Sequence, residues 1–467
     1  MPSRHSTAIA CTAMALAGLI LAPAAQSATL ADVVQQTLQT NPTISDLIYE
    51  RAVREELAEE ARAGNRPKVD FIGEAGWEAT RSPATRARRR AAGLDPKEHV
   101  DLPRRQALID GRWVFFDGDR TKAEVARRLD GVDSGAYLLQ AEAERITNEV
   151  AQNYINVLRD RELVELSQQN LLDHQRIHDQ IRERSDSGVG RQADFDQVDG
   201  RLALAESNLI SSEAKLEDTR AAYARVVGAF PPEQMEPPAV SRQSLPSSVI
   251  EATDIAENEH PLVLASEADL AATAEGIRVA KSAFHPTVEA NLQARYGDDL
   301  DGVEGYDQDF IARVNVGYNL YNGLADQARV RRGEAVQKQA QDARETALRR
   351  VAEEVRLAWN ALNSAERRLT TLERQVQSSQ GARDAYRQQF NLGQRTLLDV
   401  LDSENEQFEA RRELARARAD YNSAIYGVLA GMGRLVSELQ QQLPEQAIPL
   451  EARVRTNPER AYSTVTK

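Results

Sequence analysis

The sequence predicts a mixed, mainly α-helical chain: two copies of a unit made of a helix, an extended hairpin and two very long helices. Three observations predict this: an internal duplication, two long stretches without proline, and four segments that alternate with period two. The duplication comes first, because it decides how the 467 residues divide. Pro42 and Pro67 return as Pro261 and Pro286, an offset of 219. Asp117-Gly118, Glu149-Val150 and Tyr154 return as Asn322-Gly323, Glu354-Val355 and Trp359, at 205. Gly190, Asp196, Asp199, Tyr223 and Gly228 return as Gly393, Asp399, Asp402, Tyr426 and Gly431, at 203. The offset falls by 14 across the hairpins and by 2 afterwards, so the copies differ mainly in one loop.

The expected organisation follows from these marks. A first repeat covers 29–230, a Pro-rich linker 231–248, a second repeat 249–436, and a tail 437–467. Each repeat opens with a helix of about 30 residues, from Leu30 and from Ser248. Hairpins follow at 67–118 and 286–323, then long helix pairs at 119–228 and 324–436. No proline lies between Arg104 and Phe230, or between Thr287 and Leu443, so unbroken helices are permitted. Segments 119–186 and 325–390 would each extend roughly 100 Å at ~1.5 Å per residue. A long coiled-coil spacer would read the same way from the helices alone.

The hairpins separate the two possibilities. Val288, Ala290, Leu292, Ala294 and Tyr296 alternate with Thr287, Glu289, Asn291, Gln293 and Arg295. The return strand sets Phe310, Ala312, Val314, Val316, Tyr318 and Leu320 against Ile311, Arg313, Asn315, Gly317, Asn319 and Tyr321. The first hairpin sets Val69, Phe71, Gly73, Ala75 and Trp77 against Lys68, Asp70, Ile72, Glu74 and Glu78. Its return strand sets Ile109, Gly111, Trp113 and Phe115 against Asp110, Arg112 and Phe116. A transmembrane barrel demands apolar side chains toward lipid and polar ones toward water. An amphipathic sheet packed on a core alternates alike. Ten of the 24 aromatic residues fall within the hairpins, which fits interfacial girdles. Four strands cannot close a barrel alone, and lipid tolerates no open edge. Three chains would supply 12 strands.

The N-terminus reads as a secretory leader over residues 1–28: Arg4 and His5, an apolar run from Ala8 to Ala22, then Pro23 and small residues to Ala28. Cleavage there removes Cys11, the sole cysteine, which leaves no disulfide or thiol chemistry. Beyond it no run of 18 apolar residues occurs, so no membrane-spanning helix is expected. The net charge of −14 argues against nucleic acid as a partner.

The segment Phe390-Asn391-Leu392-Gly393-Gln394-Arg395-Thr396-Leu397-Leu398-Asp399-Val400-Leu401-Asp402 resembles the periplasmic helix turn of TolC-family outer-membrane channels. With the duplication around it, the resemblance covers essentially the whole chain after the leader. It implies a homotrimer with a long α-helical barrel, the periplasmic tunnel, joined to a 12-stranded transmembrane β-barrel in outer-membrane lipid, four strands per chain. It also implies docking onto a periplasmic adaptor protein and an inner-membrane ABC or proton-driven transporter. A belt around the tunnel would draw on 230–246 and on residues after Ser437. By the same resemblance, Arg395 matches the arginine that ties the closed periplasmic mouth. Asp399 and Asp402 match the aspartates lining its narrowest point, and Asp196 matches a first-repeat aspartate of the closing links. The family's gate tyrosine is here Phe390, whose phenyl ring has no hydroxyl to bond. Gly188, Gly190 and Gly393 mark the turn tips.

Physical reasoning supports an acidic site independently. Asp399 and Asp402 stand i, i+3 on one helix face. In a trimer they would make six carboxylates about one axis, raising one another's pKa and attracting cations.

Other signals carry less. His174 and His178 have metal-ligand spacing, but no third ligand is evident, and they read as a surface pair. Arg86–Arg90, with Arg104 and Arg105, reads as a solvated loop, with contact to lipopolysaccharide phosphates the alternative. No phosphate loop, nucleophile elbow or CxxC occurs, so no enzyme, cofactor or metal is expected. The expectation is an outer-membrane channel of a tripartite export system, passively conducting substrate, with type I protein secretion ahead of drug efflux. The contrasting reading is a periplasmic coiled-coil structural or adaptor protein without a pore.

Overall fold

The computed structural model describes residues 28–187, 191–238 and 241–450. The leader as far as residue 27, Gly188, Gly190 and the tail beyond 450 lie outside them.

The opening helix of each repeat is two helices, where the sequence suggested one. α1 (Leu30–Thr40) and α2 (Pro42–Arg62) break at Asn41. The second-repeat pair of 11 and 21 residues, Val249–Glu259 and Pro261–Lys281, breaks at His260. Proline forces the residue before it into extended backbone, which ends one helix, while its own fixed φ suits the first turn of the next. The break is then capped. Asn41 Oδ1 accepts from Thr43 N at 2.9 Å, and His260 Nδ1 accepts from Leu262 N at 3.1 Å.

The first hairpin comprises β1 (Lys68–Ala75), β2 (Glu78–Thr80), α3 (Pro83–Ala91), β3 (Val100–Leu102) and β4 (Arg105–Phe116). The arginine-rich stretch read as a loop is therefore mostly helix. Ser82 caps it, and Arg89 is held by Glu98 and by the Asp95 carbonyl. The long helix pair α4 (Arg120–Asp186) and α5 (Gln192–Val227) follows, and α6 (Val249–Glu259) and α7 (Pro261–Lys281) open the second repeat. β5 (Thr287–Asp298), β6 (Tyr306–Gly317), α8 (Ala325–Asn391), α9 (Leu397–Gly431) and the short α10 (Leu435–Glu438) complete the chain. Both α4 and α8 have 67 residues, about 100 Å at ~1.5 Å per residue.

The four long strands form one antiparallel sheet in the order β1-β4-β5-β6. Its register aligns Phe71 with Ile109, Ile109 with Ala294, and Ala294 with Phe310, so the apolar positions of all four strands share one face. Nothing covers that face among the described residues: Val69, Phe71, Phe310, Val314 and Val316 are all about 70% exposed. The opposite face is a polar ladder. Asn291 bonds Asp110 at 3.0 Å and Arg313 at 2.9 Å, and Arg112 pairs with Glu289 at 2.6 Å. This rules out a sheet packed on an apolar core of its own chain.

Two strand assignments change. A register shift between Val114 and Phe116 puts Phe116 opposite Val288, on the apolar side rather than the polar one. The strands also stop at Ala75 and Gly317, short of Trp77 and of Tyr318–Tyr321.

Each strand-to-helix junction repeats one backbone device. Gly118-Asp119 and Gly323-Leu324 all have positive φ, between 62° and 69°. At Gly118 a Cβ would lie 2.6 Å from His285, so only glycine fits. Below the junctions α2 packs on α4, α4 on α7, and α7 on α8. Farther down α5 packs on α4, and α9 on both α4 and α8. The main apolar cluster, with Tyr154, Tyr223, Tyr426 and Leu362 buried, lies around the middle of the long helices. There the inter-repeat linker crosses α4, with the Tyr154 hydroxyl bonded to the Ala28 and Glu236 carbonyls at 2.8 and 2.7 Å. The C-terminal segment runs along α4 too. Glu144 takes the Leu435 and Val436 N–H groups, Gln140 bonds the Ala447 carbonyl, and Asp133 takes Leu450 N.

Candidate gate at the helix turns

The α8–α9 turn is built by local backbone chemistry. Gln394 N bonds the Gln389 carbonyl at 2.8 Å and Gly393 N the Phe390 carbonyl at 2.9 Å. This crossed pair closes a helix when the residue after the cap can turn left-handed, and Gly393 has φ 75°. Three residues later α9 starts with a reciprocal cap. Thr396 Oγ1 accepts from Asp399 N at 3.3 Å, and Asp399 Oδ2 accepts from Thr396 N at 3.1 Å.

This assigns Asp399 a structural task. The Thr396 hydrogen bonds, with help from Arg395 3.8 Å away, hold its carboxyl below the usual range. Mutual repulsion of the acidic pair had suggested the opposite direction; within one chain the cap decides. Asp402 points to the other repeat, taking a hydrogen bond from Arg201 of α5 at 2.8 Å. Arg395 stays with its own repeat: its guanidinium stacks 4.3 Å from the Tyr386 ring centroid and donates to Gln389 at 3.0 Å. Asp196 is bonded by Gln192 at 2.9 Å, one turn back on α5. The structure therefore does not join Arg395 to Asp196.

Phe390 is bound by packing in place of a hydroxyl bond. Its ring lies beside Ile177, Ile181, Val198, Leu397, Val400 and Leu401, which form a small apolar cluster at this end. The Arg184 guanidinium of α4 sits 5.0 Å above it, a cation–π contact between the repeats. Counted from its helix start, Asp399 is matched in α5 by Asp194, not Asp196, and Arg191 there caps nothing through its side chain. His174 is buried rather than on the surface, bonded through Nδ1 to the Asn170 carbonyl at 2.9 Å. Burial holds its pKa below the ordinary value. The His178 ring lies tilted against Phe195, centroids 5.3 Å apart, and faces Asp199 at 3.6 Å.

Sequence reasoning missed Arg184, Arg201 and Tyr386, because an arginine on a long polar helix carries no mark of its partner. Thr396 was findable: Thr-X-X-Asp before an apolar run is a capping signature.

Two further observations bear on identity. No helix among the described residues is long and apolar enough to cross a membrane. Residues 33–229 and 252–434 match the family model described as "Outer membrane efflux protein". The chain belongs to the outer membrane efflux protein family. Outer membrane efflux protein BepC of Brucella suis is 26% identical over 70% of this chain and 71% of its own. Outer membrane protein TolC of Vibrio cholerae is 25% identical, over 89% of this chain and 93% of its own. The solved outer membrane protein VceC of Vibrio cholerae superposes with a TM-score of 0.71 at 17% identity, over 87% of this chain and 96% of that one. As an outer membrane efflux protein, the chain is a channel-family member located in the outer membrane, with its helices forming a tunnel in the periplasm. Its family is one of channels, not enzymes.

Proposed function

We propose that three copies of this chain close a 12-stranded barrel and continue it as a 12-helix tunnel. The duct passively conducts cargo handed over by an inner-membrane transporter through a periplasmic adaptor. One observation carries this reading. The sheet ends at β1 and β6, neither of which has an outer partner among the described residues, while its apolar face is bare. In lipid each unpaired backbone group costs several kcal/mol, so copies of the same sheet must close the edges. Boiling should convert a membrane-extracted trimer to monomer on a gel, and the unboiled protein should form channels in planar bilayers. A protein that runs as a monomer without heating, and conducts nothing, would refute the reading.

The gate in this reading lies at the helix turns around Asp196, Phe390, Arg395, Asp399 and Asp402, opening by untwisting of the helix pairs at 391–393; the matching first-repeat turn, 188–190, lies outside the described residues. Substituting Arg395→Ser should raise single-channel conductance; unchanged conductance counts against its role.

For the cargo, we favour type I protein secretion. A relative from Dickeya chrysanthemi, 24% identical over 55% of this chain, is named "Proteases secretion protein PrtF". Small-molecule efflux is the second reading, supported by relatives named for efflux and for pyoverdine export. A strain lacking the gene should lose a protein from its culture medium; gained drug sensitivity with an unchanged medium favours efflux.

A further inference from the structure

The acidic turns have a counterpart of opposite sign at the other end of the helices. Just below the sheet, α2, α4, α7 and α8 enclose a cavity of about 570 Å³. Small-molecule sites fall in the range of ~300–1,000 Å³. Its charged lining is Arg54, Arg127, Arg128, Arg329 and Arg332 against one carboxylate, Glu124. An adjoining cavity of about 1360 Å³ toward the strands shares Arg329 and Arg332 and adds Arg112 and Arg120, with Asp117, Glu289 and Asp326 as its carboxylates. Glu289 is taken by Arg112 at 2.6 Å and Asp117 by Thr121. In a chain of net charge −14, such a concentration of cations runs against the average.

The available carboxylates do not cover these charges. Glu124 alone serves both Arg127 and Arg128, at 2.6 and 2.8 Å. Asp326 pairs with Arg329. Arg54 pairs with Glu50 at 2.7 Å and lies across α4 to the Gly131 carbonyl at 2.9 Å. The side chains of Arg120 and Arg332 have no carboxylate partner among the described residues.

The sheet shows the side on which the cavity opens. α2 packs on α4, α4 on α7, and α7 on α8, so the four helices form one row below the strands. The adjoining cavity is lined by Arg112 and Glu289 of the polar ladder, so both cavities open on the side of the sheet's polar face, away from its bare apolar one. In a tunnel made by rotating the row about an axis, that side faces the lumen.

We propose that this basic cavity is an anion-binding subsite on the inner wall of the duct, for carboxylate or phosphate groups carried by cargo in transit. The inference rests on the trimeric channel reading. Guanidinium groups pair with both oxyanions in a forked geometry, and Arg120 and Arg332 have their donors free for it. Three copies around one axis would add their fields, concentrating anions where the tunnel meets the barrel.

The full-length assembly in detergent can be titrated calorimetrically with tripolyphosphate, and separately with citrate. Saturable binding is expected, weakened about tenfold by the double substitution Arg120→Gln with Arg332→Gln, and unaffected by Arg176→Gln on a distant part of α4. Binding of both probes supports oxyanions in general, and binding of tripolyphosphate alone supports the phosphate class. No saturable binding, or binding indifferent to the two arginines, overturns the subsite. In planar bilayers tripolyphosphate should reduce the wild-type current, and the double variant should need about tenfold more of it. Binding without any effect on current overturns the placement on the inner wall. A wild-type assembly that conducts nothing counts against the channel reading alone, because the titration still decides the anion site.

Discussion

Two carboxylates in this chain each receive backbone N–H groups at the start of a helix, and their surroundings drive them in opposite directions. Glu144, in the middle of α4, accepts from Leu435 N at 2.9 Å and Val436 N at 3.1 Å, and burial pushes its carboxyl up to about 7. Asp399, at the α8–α9 turn, accepts from Thr396, and its exposed hydrogen bonds hold it below the usual range. The contrast extends to the packing around each. The middle is fastened by a large apolar cluster, by the linker and by the C-terminal segment. The turns are held by a small cluster and by a few exposed polar links. Exposed pairs contribute little and are easily exchanged for water. In the proposed duct the middle is therefore the fixed frame, and the gate reading places movement at the more weakly held turns.

The largest effect expected is on pH dependence at the middle. Glu144 has a folded pKa above its ordinary 4.5, so the stability it contributes is complete below 4.5 and lost as the pH rises through about 7. Each unit corresponds to ~1.4 kcal/mol, which makes the change on the order of 3 kcal/mol. Amide exchange of residues 435–450 should accelerate across that window beyond its intrinsic rate, and Glu144→Gln should flatten the dependence. Asp399 has the opposite sign: its contribution is present above the ordinary 3.8 and is lost as the pH falls through its lower folded value. A segment 435–450 equally protected at both ends of the window would break the contrast.

A smaller effect separates the two turns. Removing the cap with Thr396→Ala should cost about 1 kcal/mol of local stability in the first turn of α9, read by exchange of its amides. Arg191→Ala, where α5 has no side-chain cap, should cost no more than a few tenths of that figure. Equal losses would mean that the turns are not built differently. The smallest effect is the link between repeats. A double-mutant cycle of Arg201→Ala and Asp402→Ala should return a coupling of about 0.5 kcal/mol in thermal unfolding. Yet the single Arg201→Ala should raise channel conductance more than Arg395→Ser, because Arg201, unlike Arg395, links α5 to α9.

Much of the fold was legible in residue periodicity. The alternation of Val288–Tyr296 against Thr287–Arg295 reappears as an apolar face and a polar ladder, because strand side chains have a period of two whatever lies beside them. Proline spacing gave the long rods, since an intact backbone ladder needs only its own N–H groups. The left-handed turn at Gly393 was visible for the same local reason.

The remainder needed neighbours far away in sequence. The bulge that turns Phe116 to the apolar side depends on strand β5, which lies in the other repeat. The identity of the partners of Arg201, Arg184 and Glu144 depends on which helices become adjacent, and polar residues on a rod look alike until that is known. By itself the sequence determined the elements, their faces and their turns, because hydrogen bonds within four residues and side-chain period settle those. Only the tertiary structure decided that Asp399 caps a helix while Asp402 reaches across to α5, and that five arginines from three helices share one cavity. Contacts between distant segments are chosen by packing the whole wall at once, which no local pattern encodes.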